Sequence, residues 1–295
     1  MKDIVIETED RFGLKATIYK ASKNSIKNCT LIINSATGIG RKFYSRYSKY
    51  MASNGFDVIT YDYRGIAESR PQKLKGFKAD FVIWGERDFS SVIKKSKNLL
   101  PINKIVVLGH SIGGTIFGMT LDCQEIEAVI MIGAQTSYYK DWPKKHRVKL
   151  YLLWHMVMPF LTNLVGYFPG KKLRMMEDIP KGVVRQWNER RKNQSMAAQL
   201  QENNVNLFYH IYTKKLLTIF IEDDVIGTKR AVERITELFI CADRQVISVS
   251  PSDYSASVIG HFGFFKKDFE KNLWLQTVNW YTEAITTASS KFLPA

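Results

Sequence analysis

Four short apolar runs, at residues 29–33, 58–61, 105–108 and 128–132, constrain this chain more than any other feature. Each is rich in β-branched or other apolar residues and too short for an ordinary helix, which is the pattern of a strand buried on both faces. Between them lie longer stretches with helical spacing, at roughly 42–54, 81–98 and 112–122. Strand–helix alternation of this kind predicts a parallel sheet covered by helices on both sides. The chain opens differently: Ile4 and Ile6, then Leu14, Ala16 and Ile18, alternate at period two around Arg11-Phe12-Gly13, and read as a hairpin. The rhythm stops near Gln135. It resumes with a strand at 216–222, a helix near 229–240, a strand near 245–249 and a last helix near 266–285. The expected organisation is therefore a core built from 1–135 and 214–295, with 136–213 inserted as a helical cap.

With 295 residues and 34.0 kDa, the chain exceeds a single small module. A hydrophobic share of 45% excludes intrinsic disorder. Cys29, Cys123 and Cys241 are odd in number, far apart and without a C-x-x-C pair, so neither a disulfide framework nor a metal cluster is expected. Residues 1–7 carry no apolar signal segment, and with the cysteines this predicts a reduced, cytoplasmic protein.

The inserted segment is distinct in character. It holds five of the nine Met, three of the six Trp (Trp142, Trp154, Trp187) and prolines at 143, 159, 169 and 180. Residues 136–215 also carry 15 Lys or Arg against 5 Asp or Glu, so most of the formal +15 charge is local. A solvated basic surface in a lysine-rich chain accounts for it; a patch that attracts anions or touches a membrane surface is the alternative. Residues 150–170 are uncharged, close to the length of a membrane span. His155, Pro159, Asn163 and Gly166 interrupt the run, which reads as a lid helix broken at Pro159 rather than a bilayer crossing.

The chemistry centres on Gly109-His110-Ser111-Ile112-Gly113-Gly114, which follows the 105–108 strand and precedes a helical run at 115–121. G-x-S-x-G in this setting puts the serine on a sharp strand-to-helix turn, with glycines leaving room on either side. The backbone N–H of Ile112, at the helix start, is then aimed at a developing oxyanion. A serine hydroxyl needs a base, usually a histidine held by a carboxylate. Of the five histidines, His110 adjoins the serine and points away, and His146, His155 and His210 lie in the insertion. His261 remains, in the loop Gly260-His261-Phe262-Gly263-Phe264-Phe265. The acid is expected after the 216–222 strand, where Glu222-Asp223-Asp224 offers three carboxylates; Asp224 is preferred and Asp223 is next. Asp62-Tyr63-Arg64-Gly65 reads as a structural turn, with Arg64 available for an ion pair near the site.

With these residues in place, the chain resembles the α/β-hydrolase superfamily, in its serine-hydrolase branch with a helical cap between strands six and seven. The order Ser111, Asp224, His261 matches that superfamily's nucleophile, acid and base. Asn34-Ser35-Ala36-Thr37-Gly38, Tyr61-Asp62-Tyr63-Arg64-Gly65 and Gly260-His261-Phe262-Gly263-Phe264-Phe265 are similar to bacterial hydrolases of the serine aminopeptidase and monoglyceride-lipase type. The resemblance spans nearly the whole chain. It implies a mostly parallel eight-stranded sheet with helices on both faces, a second oxyanion donor at the Ala36 N–H by position after strand three, and no cofactor or metal. Two departures stand out: Asn34-Ser35 replaces the His-Gly common before that donor, and Gly227-Thr228-Lys229 replaces a proline often found after the acid.

The expected activity is cleavage of a carboxylic ester, or a related acyl bond, through an acyl-enzyme on Ser111. A cap rich in Met, Trp and Phe suggests an apolar acyl group, with Phe12, Trp142, Trp154, Met156, Met158, Trp187 and Phe262 as candidate wall residues. Thioesterase, amidase and acyltransferase chemistry share the triad, and a binding protein that keeps the fold without turnover is the alternative of another class. No nucleic-acid-binding motif is present. Weak membrane-surface contact through the basic cap stays open, as does the oligomeric state.

Overall fold

The computed structural model describes residues 1–23 and 25–290. Eight strands form one sheet: β1 (Lys2–Glu7), β2 (Gly13–Tyr19), β3 (Cys29–Asn34), β4 (Asp57–Tyr61), β5 (Lys104–His110), β6 (Ile126–Ile132), β7 (Lys215–Ile221) and β8 (Asp243–Val249). They lie in the order β1-β2-β4-β3-β5-β6-β7-β8. The opening hairpin is antiparallel, and β2 also runs antiparallel to β4. Every other neighbouring pair is parallel.

Side chains along a strand alternate between faces, and here both faces are dry. Ile32, Ile59, Val107 and Val129 belong to one buried cluster. Their neighbours Leu31, Val58, Val106 and Ile130 belong to the other. That is why the runs read as continuous apolar sequence rather than as alternation. Helices α1 (Ser45–Ser53) and, at the chain's end, Leu275–Ser290 supply Tyr47, Met51 and Tyr281 to the second cluster. The helix α2 (Ser90–Leu99) supplies Val92 and Ile93 to the first.

Three expected helices differ from the sequence reading. The run after Ser111 is only one turn, α3 (Ile112–Thr115), followed by a tighter turn at Ile116–Met119. Gly118 leaves helical geometry there, and a Cβ on it would meet the Tyr209 ring at 2.1 Å. Packing of Tyr209 against bare backbone therefore ends the helix early. The final helix begins at Leu275, after separate turns at Lys267–Phe269 and Glu270–Trp274. The third difference is at Pro159. Residues Lys144–Val165 form one 22-residue helix, comprising α4 (Lys144–Leu152), a widened turn at Leu153–Val157 and α5 (Met158–Val165). Proline lacks the N–H that an unbroken helix would donate, and the widened turn just before it takes up the mismatch without a break. Gly166, with φ +93°, ends the helix.

Between β6 and β7 the chain continues through a two-residue pairing of Tyr167–Phe168 with Ile179–Pro180, then α6 (Lys181–Glu189) and α7 (Met196–Glu202). This inserted segment is tied at several points to the helices and loops around the sheet. Arg234 in α8 (Lys229–Thr236) grips Asp141 with two bonds of 2.7 and 2.8 Å, and Arg70 pairs with Asp178. The Tyr209 hydroxyl donates to the Thr115 carbonyl at 2.5 Å. The Glu177 N–H donates to the Gly38 carbonyl at 2.9 Å, while Met176 fills the space above Gly38.

Asp62-Tyr63-Arg64-Gly65 is a structural corner. Arg64 does not serve the site: its side chain pairs with buried Asp88 at 2.6 Å and with Asp10 at 2.6 Å, clamping the β1–β2 turn to the α2 side of the sheet. Cys29, Cys123 and Cys241 are all free thiols.

Candidate active site

Ser111 sits at the end of β5 with φ +54° and ψ −121°, a conformation that costs a non-glycine residue free energy and survives only where the surroundings enforce it. The surroundings here are glycines. A Cβ at Gly113 would stand 2.1 Å from the Asn34 carbonyl oxygen, and one at Gly109 would stand 2.5 Å from the Gly114 backbone. The Asn34 amide closes the corner by donating to the Gly113 carbonyl at 3.2 Å, and is itself held by the Tyr61 hydroxyl at 2.8 Å. Ile112 follows at the first position of α3, where N–H groups have no intrahelical acceptor.

Asp224 and His261 meet beside this turn. Asp224 Oδ2 lies 2.6 Å from His261 Nδ1, and its Oδ1 accepts the Ile226 and Gly227 N–H groups at 2.8 and 2.9 Å. Burial pushes the Asp224 carboxyl up, but the adjoining imidazole and those two N–H groups outweigh it, and the acid is held below the usual carboxylate range. Gly133 and Gly227 let the pair lie directly on backbone: a Cβ at either would be 3.0 or 2.7 Å from Asp224 Oδ2. Asp223 does something else. Its two oxygens accept the Ile259 and Gly260 N–H groups at 2.9 and 2.8 Å, so it braces the loop that carries His261. Glu222 accepts the Ser248 hydroxyl at 2.7 Å, on the surface.

Ser111 itself is only 3% exposed. Among the described residues no hydrogen bond joins its hydroxyl to the His261 ring. Such bonds are often long before substrate closes the site. The two loops are nevertheless tied together next to the serine, since His110 Nε2 lies 2.8 Å from the His261 carbonyl oxygen.

The second expected oxyanion donor is placed otherwise than the sequence implied. The Ala36 N–H donates to the Tyr44 hydroxyl at 2.9 Å, so it is already engaged. Tyr44 stands eight residues downstream, and no local pattern announces the contact. On the same loop the buried hydroxyls of Ser35 and Thr37 have no hydrogen-bond partner among the described residues, nor do Gln135 Nε2 and Thr136 Oγ1 after β6. Because β3 and β6 both adjoin β5, these groups lie on the two loops next to the one that carries Ser111.

The expected apolar wall is mostly core. Trp154 stacks on Trp187 with centroids 4.9 Å apart, Trp142 stacks on His155 at 5.7 Å, and Met158 is buried with them. Large rings at helical spacing bury most area against one another, and that packing took them. Met156 faces solvent. Phe12 packs on Phe77 beneath Arg64. Phe262 alone of these touches the site, meeting the His261 ring edge-on at 5.0 Å. No cluster of metal-ligating side chains occurs among the described residues.

A doubly covered, mostly parallel sheet with a strained serine after β5 and a carboxylate–imidazole pair after its last strands is the architecture of one large class. The family profile described as alpha/beta hydrolase fold matches residues 31–252, and the chain belongs to that family. No curated protein matches the sequence. Among solved structures, the chain is similar to a soluble variant of monoglyceride lipase from Saccharomyces cerevisiae, at 15% identity and TM-score 0.70, with 96% of each chain covered. It is also similar to an esterase from Pyrococcus furiosus, at 16% identity and TM-score 0.61, over 96% of this chain and 90% of that one. An esterase from Exiguobacterium antarcticum matches at 13% identity and TM-score 0.59, over 96% and 100%. At such identities the likeness is one of fold.

Proposed function

We propose that this protein is a serine hydrolase acting on a carboxylic ester through an acyl-enzyme on Ser111. The observation that carries the reading is the 2.6 Å contact of Asp224 with His261 beside a serine held at positive φ. His261 takes the Ser111 proton as the oxygen attacks the acyl carbonyl, and Asp224 holds the ring in the tautomer that presents Nε2. The Ile112 N–H receives the oxyanion. Collapse of the tetrahedral species expels the alcohol, to which His261 returns the proton, and water then cleaves the acyl-enzyme under the same base. Residues 136–213 act as a cap whose 170–177 stretch covers the loop after β3, so substrate enters as that stretch yields. Phe262 favours an apolar acyl group beside the base, while Ser35, Thr37, Gln135 and Thr136 suit a polar portion of the same substrate. The reading calls on no cofactor, metal or nucleic acid.

One observation favours a second reading. The Ala36 N–H is engaged by Tyr44, which suits a protein that binds an acyl compound without turning it over. One experiment separates the two: acetyl to dodecanoyl chromogenic esters given to wild type and Ser111→Ala, alongside a fluorophosphonate label. Turnover and labelling that vanish together in the variant, with a loss of about 10⁴-fold, are expected of the hydrolase. Absence of both in the wild type overturns it in favour of the binding reading.

A further inference from the structure

We propose that the outer face of the Lys144–Val165 helix rests on an anionic lipid surface. Along this helix Val148, Leu152, Met156, Phe160 and Leu164 recur every four residues and all point to water, from 50% exposed at Leu152 to 73% at Leu164. On a regular α-helix a four-residue row drifts by about 40° per step. The widened turn at Leu153–Val157 holds an extra residue and opposes that drift, which keeps the row on one face. Further along the chain, Leu173 and Met175 are exposed as well. A face of this size left bare on a water-soluble domain marks a contact.

Charge selects the partner. From residue 144 to 175 the sequence has seven Lys or Arg and no Asp or Glu. Lys144, Lys145 and Lys149 stand at the start of the row, and Lys172 and Arg174 follow the helix in the chain; all five are exposed, and none forms an ion pair among the described residues. Apolar residues flanked by unpaired cations fit a layer of acyl chains beneath anionic headgroups, rather than the neutral surface of another protein. The opposite face decides between lying on the bilayer and crossing it. Trp154, Met158 and Thr162 are buried against the rest of the molecule, with Trp154 stacked on Trp187, so the helix is held to the core while its outer row is dipped.

This inference does not rest on the hydrolase reading. The full-length chain is sedimented with vesicles of ether-linked phosphatidylcholine, alone or mixed with ether-linked phosphatidylglycerol, at low and high salt. Wild type is expected to partition onto the anionic vesicles roughly tenfold more strongly than onto neutral ones, and to be released by salt. Phe160→Glu combined with Leu164→Glu, and separately Lys144→Glu combined with Lys145→Glu, are each expected to weaken binding about tenfold. Circular dichroism serves as the folding control, and all four positions are exposed. Failure of wild type to bind anionic vesicles overturns the proposal, as does binding by the variants at the wild-type level. Equal binding to both vesicle types removes the role of the cations and overturns it as stated. A wild-type dimer in sedimentation that the Phe160→Glu/Leu164→Glu variant dissolves, without vesicle binding, means instead that a second copy covers the face.

Discussion

The Tyr44 hydroxyl lies 2.8 Å from Nδ1 of His110, and this contact sets the direction of a hydrogen-bond chain that crosses the site. The Ala36 N–H can only donate, so the Tyr44 oxygen accepts from it at 2.9 Å. The Tyr44 proton then goes to His110 Nδ1, which leaves the Nε2 proton for the His261 carbonyl at 2.8 Å. Burial first, and the neighbouring His261 second, push the His110 ring down to about 3, so it stays neutral as the chain requires. Tyr44 and His110 thus join the loop after β3 to the loop that bears His261.

Tyr44→Phe keeps the ring and removes the link. The Ala36 N–H is then buried without an acceptor, and His110 loses its donor. A loss of about 1–3 kcal/mol is expected, read as a lower urea midpoint at unchanged slope. A wild-type midpoint would mean that the chain contributes nothing to stability.

His110 also predicts a pH dependence. Its ordinary value is 6.5 and its folded value about 3, so below 6.5 the unfolded chain binds a proton that the folded one refuses. Stability from this group is therefore complete above 6.5 and declines as pH falls toward 3. The depressed Asp224 carboxyl adds a second loss in the acid limb, below its ordinary value of 3.8. Urea titrations between pH 4 and 7 should show a shallower decline in His110→Gln than in wild type. Parallel curves would exclude His110 as the source.

Asp223 and Asp224 are adjacent yet separable. Asp224→Asn leaves the shape and presents the wrong partner to His261, so turnover should fall by about 10²–10⁴-fold with modest loss of stability. Asp223→Asn weakens two bonds to the backbone at Ile259 and Gly260, so it should lower the thermal midpoint and cost far less activity. Equal and small losses in the two variants would sink the assignment of the acid.

Gly113→Ala tests the turn itself. Its Cβ would fall 2.1 Å from the Asn34 oxygen, on backbone that cannot yield without moving β3. A loss of about 3 kcal/mol or failure to fold is expected, measured by thermal unfolding. A midpoint near wild type would mean that β3 and the elbow are not locked as described.

Much of this was legible in the chain. The opening hairpin, the parallel strands and the serine turn follow from local pattern, because a strand buried on both faces must be apolar throughout and a serine at positive φ must have glycines beside it. The helix after Ser111 was not legible, since Gly118 looks tolerable until the Tyr209 ring packs on it. Nor was the fate of Trp142, Trp154, Met158 and Trp187: wall and core use the same residue types, and only contact with Trp187 or His155 separates them.

By itself the sequence determined the order of elements, the sharp turn that carries Ser111 and the short list of residues that could meet beside it, since these depend on residue type and spacing along one strand or turn. The tertiary structure alone decided which of two neighbouring aspartates holds His261, that Tyr44 takes the Ala36 N–H, and which face of the Lys144–Val165 helix the rest of the molecule leaves uncovered. Each of those turns on the direction of a side chain relative to another segment, eight residues away for Tyr44 and Ala36 and 37 for Asp224 and His261, and spacing along the chain carries no such direction.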